Sequence, residues 1–315
     1  MSAPTRRAKD HAQVIIDHER CNGCGLCIAV CIGAPLSLVD GRVHVDQGKY
    51  FGCFACGHCM SVCPMDCIKV EGRDLSPADM FPLQATARPN QEAAQLPNNQ
   101  PASYASLAAL LTARRSVRRY LNKPIPREMI EKILDSVTTA PMGIPPTDVE
   151  VLVLENKDAV ERFTADVIEL FKKVRWLVSD PVRWLMRPLM SKETAEVYKG
   201  FLAVAITSIL EKHDQGQNWL TYDAPCALYF YASPFSDPAD PIIAATYAML
   251  AAQSLGLGSC MLGTIPYCFQ YSRKLREKYH MPHKSQQGLM LILGYPAVTY
   301  RRGIKRRLGD VRYVY

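Results

Sequence analysis

The 315-residue sequence has no apolar run long enough to cross a bilayer. Its longest apolar stretches, such as residues 201–210, have the length of core segments, so we expect no membrane span. No apolar stretch follows the basic residues near the N-terminus, so we expect no secretory signal there. Together these absences predict a cytoplasmic protein whose thiols stay reduced.

Several motifs of nucleotide-binding and hydrolytic enzymes are also absent. The sequence contains no GxxxxGK[ST] loop, no HExxH and no GxSxG. Its glycine-rich segment, GLGSCMLG at residues 256–263, has the spacing G-x-G-x4-G and follows a helical pattern rather than a strand. The sequence therefore does not predict a Rossmann nicotinamide-binding fold.

What the sequence does have is cysteine at a repeated spacing. Of its 12 cysteines, nine lie within residues 21–67, and eight of these form two groups with the spacing C-x2-C-x2-C-x3-C. The first group is Cys21, Cys24, Cys27 and Cys31, and the second, 32 residues later, is Cys53, Cys56, Cys59 and Cys63. This spacing, given twice, predicts two [4Fe–4S] clusters.

The spacing also predicts which cysteines share a cluster. Three thiolates come from one loop, and the fourth cannot follow on the same loop without strain, so it ligates the other cluster. We therefore assign Cys63 to the first three cysteines and Cys31 to the second three. Structural zinc and disulfides are the alternatives, but zinc favours separated C-x2-C pairs and disulfides need an oxidising compartment. Cys67 is predicted to be a small buried side chain rather than a ligand.

Residues 12–73 resemble the two-cluster bacterial ferredoxins. Short strands are predicted at 14–16, 43–45 and 68–70, around the cysteine groups. The glycines expected to adopt unusual dihedrals, so that backbone amides approach the sulfurs, are Gly23, Gly25, Gly52 and Gly57. The resemblance implies a small βαββαβ domain for one-electron transfer, which we place at residues 1–83.

A stretch rich in Gln, Asn and Pro follows this domain. We predict a linker at residues 84–103 and a second domain at residues 104–315. In the second domain, helices are predicted at 104–113, 129–140 and 242–255, and strands at 149–154, 224–232 and 289–293. Helices and strands alternate without a strict βαβ repeat, so the predicted fold class is α+β.

Four segments of this second domain occur in the order typical of one flavoprotein family. They are RRSVRRY at 114–120, APMGI at 140–144, GLGSCMLG at 256–263 and GYP at 294–296. With these segments, residues 104–315 resemble the nitroreductase family of FMN flavoproteins, and the whole chain resembles the ferredoxin-fused nitroreductases. The resemblance implies a homodimer with FMN between the subunits.

The resemblance also implies an FMN site. A phosphate group requires basic donors, preferably arginine, which binds it with two N–H groups. The residues implied are Arg114, Arg115, Ser116 and Arg118 in the N-terminal segment, Arg302 and Lys305 near the C-terminus, Pro141, Met142, Gly143 and Ile144 in the turn that reaches the flavin from the neighbouring subunit, and Leu262 and Gly263 beside the ring edge.

Two positions differ from the better-known members of the family. Their turn carries an asparagine, whereas here Pro145 and Pro146 follow the turn, and Leu262 stands where they have a glutamate. Those groups face the nicotinamide in the family, so the differences give less reason to expect hydride transfer from NAD(P)H. No catalytic side chain is predicted.

Residues 175–199 form an unusual amphipathic segment with Trp176 and Trp184, interrupted by Pro181 and Pro188. Three interpretations remain open: an inserted helical pair packed on its own domain, a lid over the flavin, or a helix on a membrane surface.

The net charge of +7 does not predict a nucleic-acid partner. Two clusters at about −2 each lower it to about +3, and a flavin phosphate removes up to ~2 more. The sequence also has no basic stretch with interleaved aromatics and no zinc-finger spacing.

These features together predict an FMN- and iron–sulfur-dependent oxidoreductase. We expect a low-potential donor such as ferredoxin to supply electrons through the two clusters to FMN, which reduces a nitroaromatic, a quinone or an activated alkene. Two alternatives remain: a non-catalytic electron carrier or redox sensor, and an NAD(P)H-dependent flavin reductase that uses the clusters as an electron exit.

Overall fold

The computed structural model describes most of the chain after residue 11. The described residues are 12–31, 35–48, 52–53, 55–72, 75–80, 103–143, 148–179, 181–182, 203–282, 284, 287–304 and 308–314. The chain divides into two compact units: residues 1–107 with 141–150 and 235–240, and residues 108–140 with 151–234 and 241–315. The predicted linker, apart from Ser103, and most of the amphipathic segment 175–199 lie outside the described residues. The predicted domain boundaries stay a prediction.

The N-terminal part of the first unit follows the predicted βαββαβ order. Its elements are β1 (Gln13–Ile16), α1 (Leu26–Ala29), β2 (Leu36–Val39), β3 (Arg42–Val45), α2 (His58–Val62) and β4 (Ile68–Glu71). Strand β1 pairs antiparallel with β4, and β2 pairs antiparallel with β3. The three strands predicted by position are present, and β2 is the fourth strand that the βαββαβ order implies.

The core of this part is small and includes two of the predicted ligands. Strand β4 alternates as a half-buried strand should, with Ile68 and Val70 buried and the residues between and after them exposed. The buried apolar cluster consists of Ala12, Cys27, Leu36, Val43, Ala55, Cys59, Met60, Ile68 and Val70. The cysteine loops are therefore part of the core.

The elements after residue 103 mix helices with one larger sheet. They are α3 (Tyr104–Ala113), α4 (Arg127–Thr138), β5 (Val149–Leu154), α5 (Lys157–Val174), α6 (Ala203–Asp214), β6 (Cys226–Ala232), α7 (Asp240–Ser254), β7 (Gly258–Leu262), α8 (Ile265–Tyr271), α9 (Arg273–Lys278) and β8 (Gly288–Gly294). The strand order is β5-β6-β8-β7, with β8 antiparallel to both of its neighbours. This mixture confirms the predicted α+β class. None of the described helices is long and apolar enough to span a membrane.

The central strands of the sheet are buried under packed side chains. All seven residues of β6 are buried, so the strand is packed on both faces. The rings of Tyr229 and Phe269 stack with centroids 4.9 Å apart, and Tyr279 meets Phe163 edge-on at 5.2 Å. Aromatic pairs of this kind add to the energy of burial. The sheet therefore holds β7, its edge strand, in a fixed position.

Candidate iron–sulfur and flavin sites

The second cysteine group surrounds a cavity together with one residue of the first group. Cys53, Cys56 and Cys59 line this cavity, and Cys31 completes the set. The remaining lining is largely apolar and includes Val14, Leu36 and Val70. The structure thus brings together the four residues that the crossing pattern assigns to one cluster.

The cysteines around this cavity change one another's pKa values through their charges. Burial, together with the charges of Cys53, Cys56 and Cys31, raises the pKa of Cys59 to about 12, against a hydrogen bond from the backbone of Met60 that lowers it. In the first group, burial raises the pKa of Cys27, and Cys21 and Cys24 add to the rise against two backbone hydrogen bonds that lower it. Gathered thiolates repel one another, and the positive charge of bound iron would offset that repulsion.

Cys63, the fourth ligand predicted for the first cluster, contacts Cys67. Their Sγ atoms lie 3.5 Å apart, and the backbone nitrogen of Cys67 lies 3.5 Å from the same Cys63 sulfur. Burial raises the pKa of Cys63, but hydrogen bonds from the amide and thiol of Cys67 and from other backbone amides outweigh it, so the pKa is lowered overall. This environment favours the thiolate, which is the form that binds iron.

The glycines of the ligand loops adopt the backbone conformation expected of them. Their φ angles are 68° at Gly23, 71° at Gly25, 65° at Gly52 and 74° at Gly57, which confirms the prediction of unusual dihedrals. A Cβ on Gly23 would lie 2.3 Å from the carbonyl oxygen of Gly41. At the equivalent position of the second loop, Ala55 has a φ of 60° and tolerates the strain that a small side chain brings there.

The arrangement of the cysteines fits cubane clusters. Among the described residues, no group of three or more His, Cys, Asp or Glu is placed to hold a single metal ion. The ligands of a cubane stand farther apart than those of one ion, because the iron and sulfide atoms of the cube lie between them. Cys31, Cys53, Cys56 and Cys59 all line one cavity, as the four ligands of a cubane would.

In the second unit, three of the sequence motifs lie side by side. The backbone nitrogen of Val117 donates to the carbonyl of Ser259 at 2.8 Å, so RRSVRRY runs beside strand β7 of GLGSCMLG. The nitrogen of Leu121 donates to the carbonyl of Tyr295 at 2.8 Å, and that of Ala297 to Arg119 at 2.9 Å. The same segment therefore also runs along the GYP turn.

Two glycines of these motifs are required by this packing. A Cβ on Gly258 would lie 2.6 Å from Cγ2 of Val117. A Cβ on Gly294 would lie 2.5 Å from the ring of Tyr120. Real side chains do not approach this closely, so both glycines allow the segment to lie against the sheet.

Arg115 links the two basic segments that are implied to hold a phosphate. Its Nη2 donates to the carbonyl of Arg302 at 2.7 Å, and its Nη1 donates to the carbonyl of Arg114. Its Nε is buried and has no hydrogen-bond partner among the described residues. A buried cationic N–H without a partner fits an anionic ligand, so this residue fits the phosphate of FMN.

The remaining implied residues of this unit lie on strand β7 or next to it. Ser116 and Arg118 are exposed, and burial raises the pKa of Cys260 on β7 while Arg118 and Ser116 lower it. Leu262 is half-buried, and a Cβ on the exposed Gly263 would meet nothing within 4 Å. The backbone at Gly263 is therefore open to a flat ring. Nothing in the spacing of the residues selects Cys260, because a single cysteine carries no motif.

The implied turn lies in the first unit and is held by a carboxylate. The backbone nitrogen of Gly143 donates to Oδ1 of Asp240 at 2.8 Å, and Asp240 is only 3% exposed. Burial raises the pKa of Asp240, and Asp237 and Asp148 add to the rise against the hydrogen bond from Gly143. Pro141 is exposed, whereas Met142 and Gly143 are half-buried. Ile144 and Lys305 lie outside the described residues.

Comparisons with known proteins match two parts of the chain to two families. Residues 111–295 match the Nitroreductase family, and residues 13–64 match the 4Fe-4S dicluster domain. These matches confirm the predicted order of a cluster domain followed by a nitroreductase domain.

Individual relatives match one part of the chain or the other. An FMN reductase [NAD(P)H] of Bacillus subtilis (strain 168) is 27% identical over 194 residues, which cover 59% of this chain and 64% of that protein. An uncharacterized ferredoxin of Methanocaldococcus jannaschii is 33% identical over 64 residues, which cover 19% of this chain and 78% of that protein. Among solved structures, a nitroreductase with bound FMN from Bacteroides fragilis NCTC 9343 has a TM-score of 0.49 and 20% identity, covering 66% of this chain and 98% of that one.

Proposed function

Because the chain belongs to the nitroreductase family and carries a 4Fe-4S dicluster domain, we propose that it moves electrons from a low-potential donor, through two [4Fe–4S] clusters, to FMN, where a small organic acceptor is reduced. The donor is ferredoxin or a protein of similar potential, and the acceptor is a nitroaromatic, a quinone or an activated alkene. Members of the family are FMN-dependent oxidoreductases, so the cofactor and the reaction class follow from the family.

The observation that carries the proposal is the presence of both redox sites in one polypeptide. The cysteine groups hold carriers of single electrons. Bound FMN supplies the chemistry that accepts electrons singly and delivers them as a pair. A chain with both sites is suited to couple a one-electron donor to a two-electron reduction.

The protein's own residues hold the clusters and control their surroundings. Eight thiolates bind iron, and the glycines between them let backbone amides approach the sulfurs. Around the second cluster, Val14, Leu36 and Val70 replace water with apolar surface. Burial and hydrogen bonding to the sulfurs are the means by which a protein sets the potential of a cluster.

At the flavin, the chain supplies binding and position. The Nε of Arg115, which has no partner among the described residues, would donate to the phosphate, and the hydrogen bond from Arg115 to the carbonyl of Arg302 links the C-terminal basic segment to it. The open backbone of Gly263 lets the ring lie close to strand β7. Leu262 is half-buried and apolar, whereas a carboxylate at this position would favour a nicotinamide. We therefore propose ferredoxin rather than NAD(P)H as the donor.

We propose that the functional unit is a homodimer. Helix α3 buries none of its residues in the single chain, and Leu107 and Leu111 are 44% and 48% exposed. Near the C-terminus, Leu308, Val311 and Tyr313 are also exposed. Apolar surface of this kind is normally covered in solution, and a second copy of the chain would cover it. Because the clusters need reduced thiols, we place the protein in the cytoplasm.

Anaerobic stopped-flow mixing tests the electron route. Reduced ferredoxin is mixed with the oxidised holoprotein, and cluster and flavin absorbance are followed separately. The proposal predicts cluster reduction followed by flavin reduction. Reduction of the clusters while FMN stays oxidised would contradict it.

Two further arms of the experiment separate the alternatives. Rapid flavin bleaching by NADH, with reduction of the clusters afterwards, would favour the NAD(P)H-dependent reductase. Reduced holoprotein that is not reoxidised by a nitroaromatic, a quinone or an activated alkene would favour the electron carrier or redox sensor.

A further inference from the structure

The two halves of the cluster domain differ at one position next to the crossing ligand. Cys63 and Cys31 are the crossing ligands, 32 residues apart in the repeat. Four residues after each of them stand Cys67 and Pro35, respectively. The first cluster therefore has a ninth cysteine beside its ligands, and the second cluster has a proline at the equivalent place.

Cys67 directs two donors at the sulfur of Cys63. Its Sγ and its backbone nitrogen each lie 3.5 Å from that sulfur. Cys63 loses its proton when it binds iron, so the hydrogen atom shared by the two sulfurs belongs to Cys67. Both the S–H and the N–H of Cys67 then donate to the ligand.

The position of Cys67 is fixed by the sheet. Its side chain is 6% exposed, and its carbonyl accepts a hydrogen bond from the nitrogen of Asp17 at 2.8 Å. Strand β4 begins at the next residue, Ile68, which pairs with Ile16 of β1. The thiol is therefore held against Cys63 rather than free to turn toward solvent.

Pro35 provides neither donor to the second cluster. Proline has no backbone N–H and no polar side-chain atom. Pro35 lines the cavity of the second cluster together with Cys31, so it occupies the place from which a donor would act. The residue at the equivalent position therefore supplies Cys31 with neither of the two hydrogen bonds that Cys67 gives to Cys63.

Hydrogen bonds to a ligand sulfur favour the reduced cluster, because reduction adds negative charge to that sulfur. We propose that Cys67 is a positioning residue that raises the reduction potential of the cluster held by Cys21, Cys24, Cys27 and Cys63 above that of the other cluster. A single electron entering the domain then rests on the first cluster. This inference rests on the two-cluster assignment and not on the identity of the donor or acceptor.

Potentiometric titration monitored by electron paramagnetic resonance tests the proposal on the full-length holoprotein. In Cys67→Ala, we expect the equilibrium constant for reduction of one cluster to fall about tenfold, which corresponds to about 59 mV for one electron. The other cluster should keep its potential. Cys67→Ser retains an O–H donor and should restore most of the loss.

Matched controls assign the effect. Cys268 is also a buried thiol, 3% exposed, but it lies in the second unit, so Cys268→Ala should change neither potential. Cys24→Ala removes a ligand of the first cluster, and the signal lost in that variant identifies it. The wild-type protein and Cys24→Ala together give a further test, because the two wild-type potentials must differ and the higher one must belong to the signal that Cys24→Ala loses.

Two results would overturn the role of Cys67. One is a full iron content in Cys67→Ala with both potentials unchanged; the other is equal potentials for the two clusters in the wild-type protein. If wild-type protein binds no iron when it is reconstituted with iron and sulfide, the two-cluster assignment itself is wrong.

Discussion

The two units of the chain differ in what stabilises them. Among the described residues, the cluster domain has a small buried core, and Cys27 and Cys59 within it are predicted ligands. The core of the second unit gathers side chains from helices and from a four-stranded sheet, with Phe163 and Tyr229 almost fully buried. A small domain that buries little apolar surface depends on its metal, whereas a larger core does not. The comparison therefore separates a fold held by ligands from a fold held by packing.

Removal of iron should give the largest difference in stability between the two units. Anaerobic chelation of the holoprotein is expected to unfold the cluster domain, because metal binding and folding are coupled in small metal domains. The second unit should stay folded. Hydrogen exchange measures both at once: amides of β1 and β4 should lose protection, while those of β6 and β8 should keep it. Retained protection in β4 after complete loss of iron would show that packing alone holds the domain.

Gly23→Ala should destabilise the cluster domain by about 3 kcal/mol. The added Cβ would lie 2.3 Å from the carbonyl oxygen of Gly41, and the φ of +68° is unfavourable for alanine. Gly25→Ala is the matched control, since its φ is +71° but no atom lies within 4 Å of the added Cβ. Its cost should be about 1 kcal/mol. Thermal loss of cluster absorbance compares the two variants, and equal losses would contradict the steric explanation.

Arg115→Ala should weaken FMN binding about 10- to 100-fold, because it removes a charge-assisted donor to the phosphate. Arg115→Lys keeps the charge but not the planar guanidinium, so it should restore only part of the affinity. The measurement is the quenching of flavin fluorescence on binding. Arg273→Ala, which removes an exposed arginine paired with Glu277 at 2.6 Å, should have no effect. Unchanged affinity in Arg115→Ala would remove Arg115 from the flavin site.

Asp166→Asn should destabilise the second unit only slightly, by about 1 kcal/mol at neutral pH. Burial raises the pKa of Asp166, but hydrogen bonds from Lys278 and Tyr279 outweigh it and lower the pKa below its usual 3.8. The lowered pKa stabilises the fold above the unfolded pKa, and this contribution is lost as the pH falls through the folded pKa. Denaturant unfolding should therefore separate the variant from wild type at pH 7 but not at about pH 2. A difference that persists in acid would mean that packing, not charge, is lost.

The sequence predicted the cluster domain better than it predicted the sheet of the second unit. Ligand spacing is local, so the positions of the cysteines and of the glycines between them could be interpreted directly. The position of strand β2 was not predicted because only Leu36 of its four residues is fully buried, which leaves too short a pattern. Strand β7 was missed because glycine is unfavourable in strands, although Gly258 is needed for the contact with Val117.

The parts of the sites that could not be predicted depend on contacts between distant residues. Asp240 holds the turn at Gly143 across 97 residues of sequence, and neither residue has a spacing motif that points to the other. Cys67 was predicted to be a small buried side chain, and it is buried. Its second property, the contact with the Cys63 sulfur, follows only from the turn between them.

The central claim is that electrons leave the clusters through FMN. The most direct test is to reduce the clusters anaerobically in the holoprotein and in flavin-depleted protein, then to mix each with a quinone or nitroaromatic and follow cluster reoxidation. We expect rapid reoxidation of the clusters in the holoprotein and only slow reoxidation in the flavin-depleted protein. Equally rapid reoxidation in both would contradict it, because electrons would then reach the acceptor without the flavin.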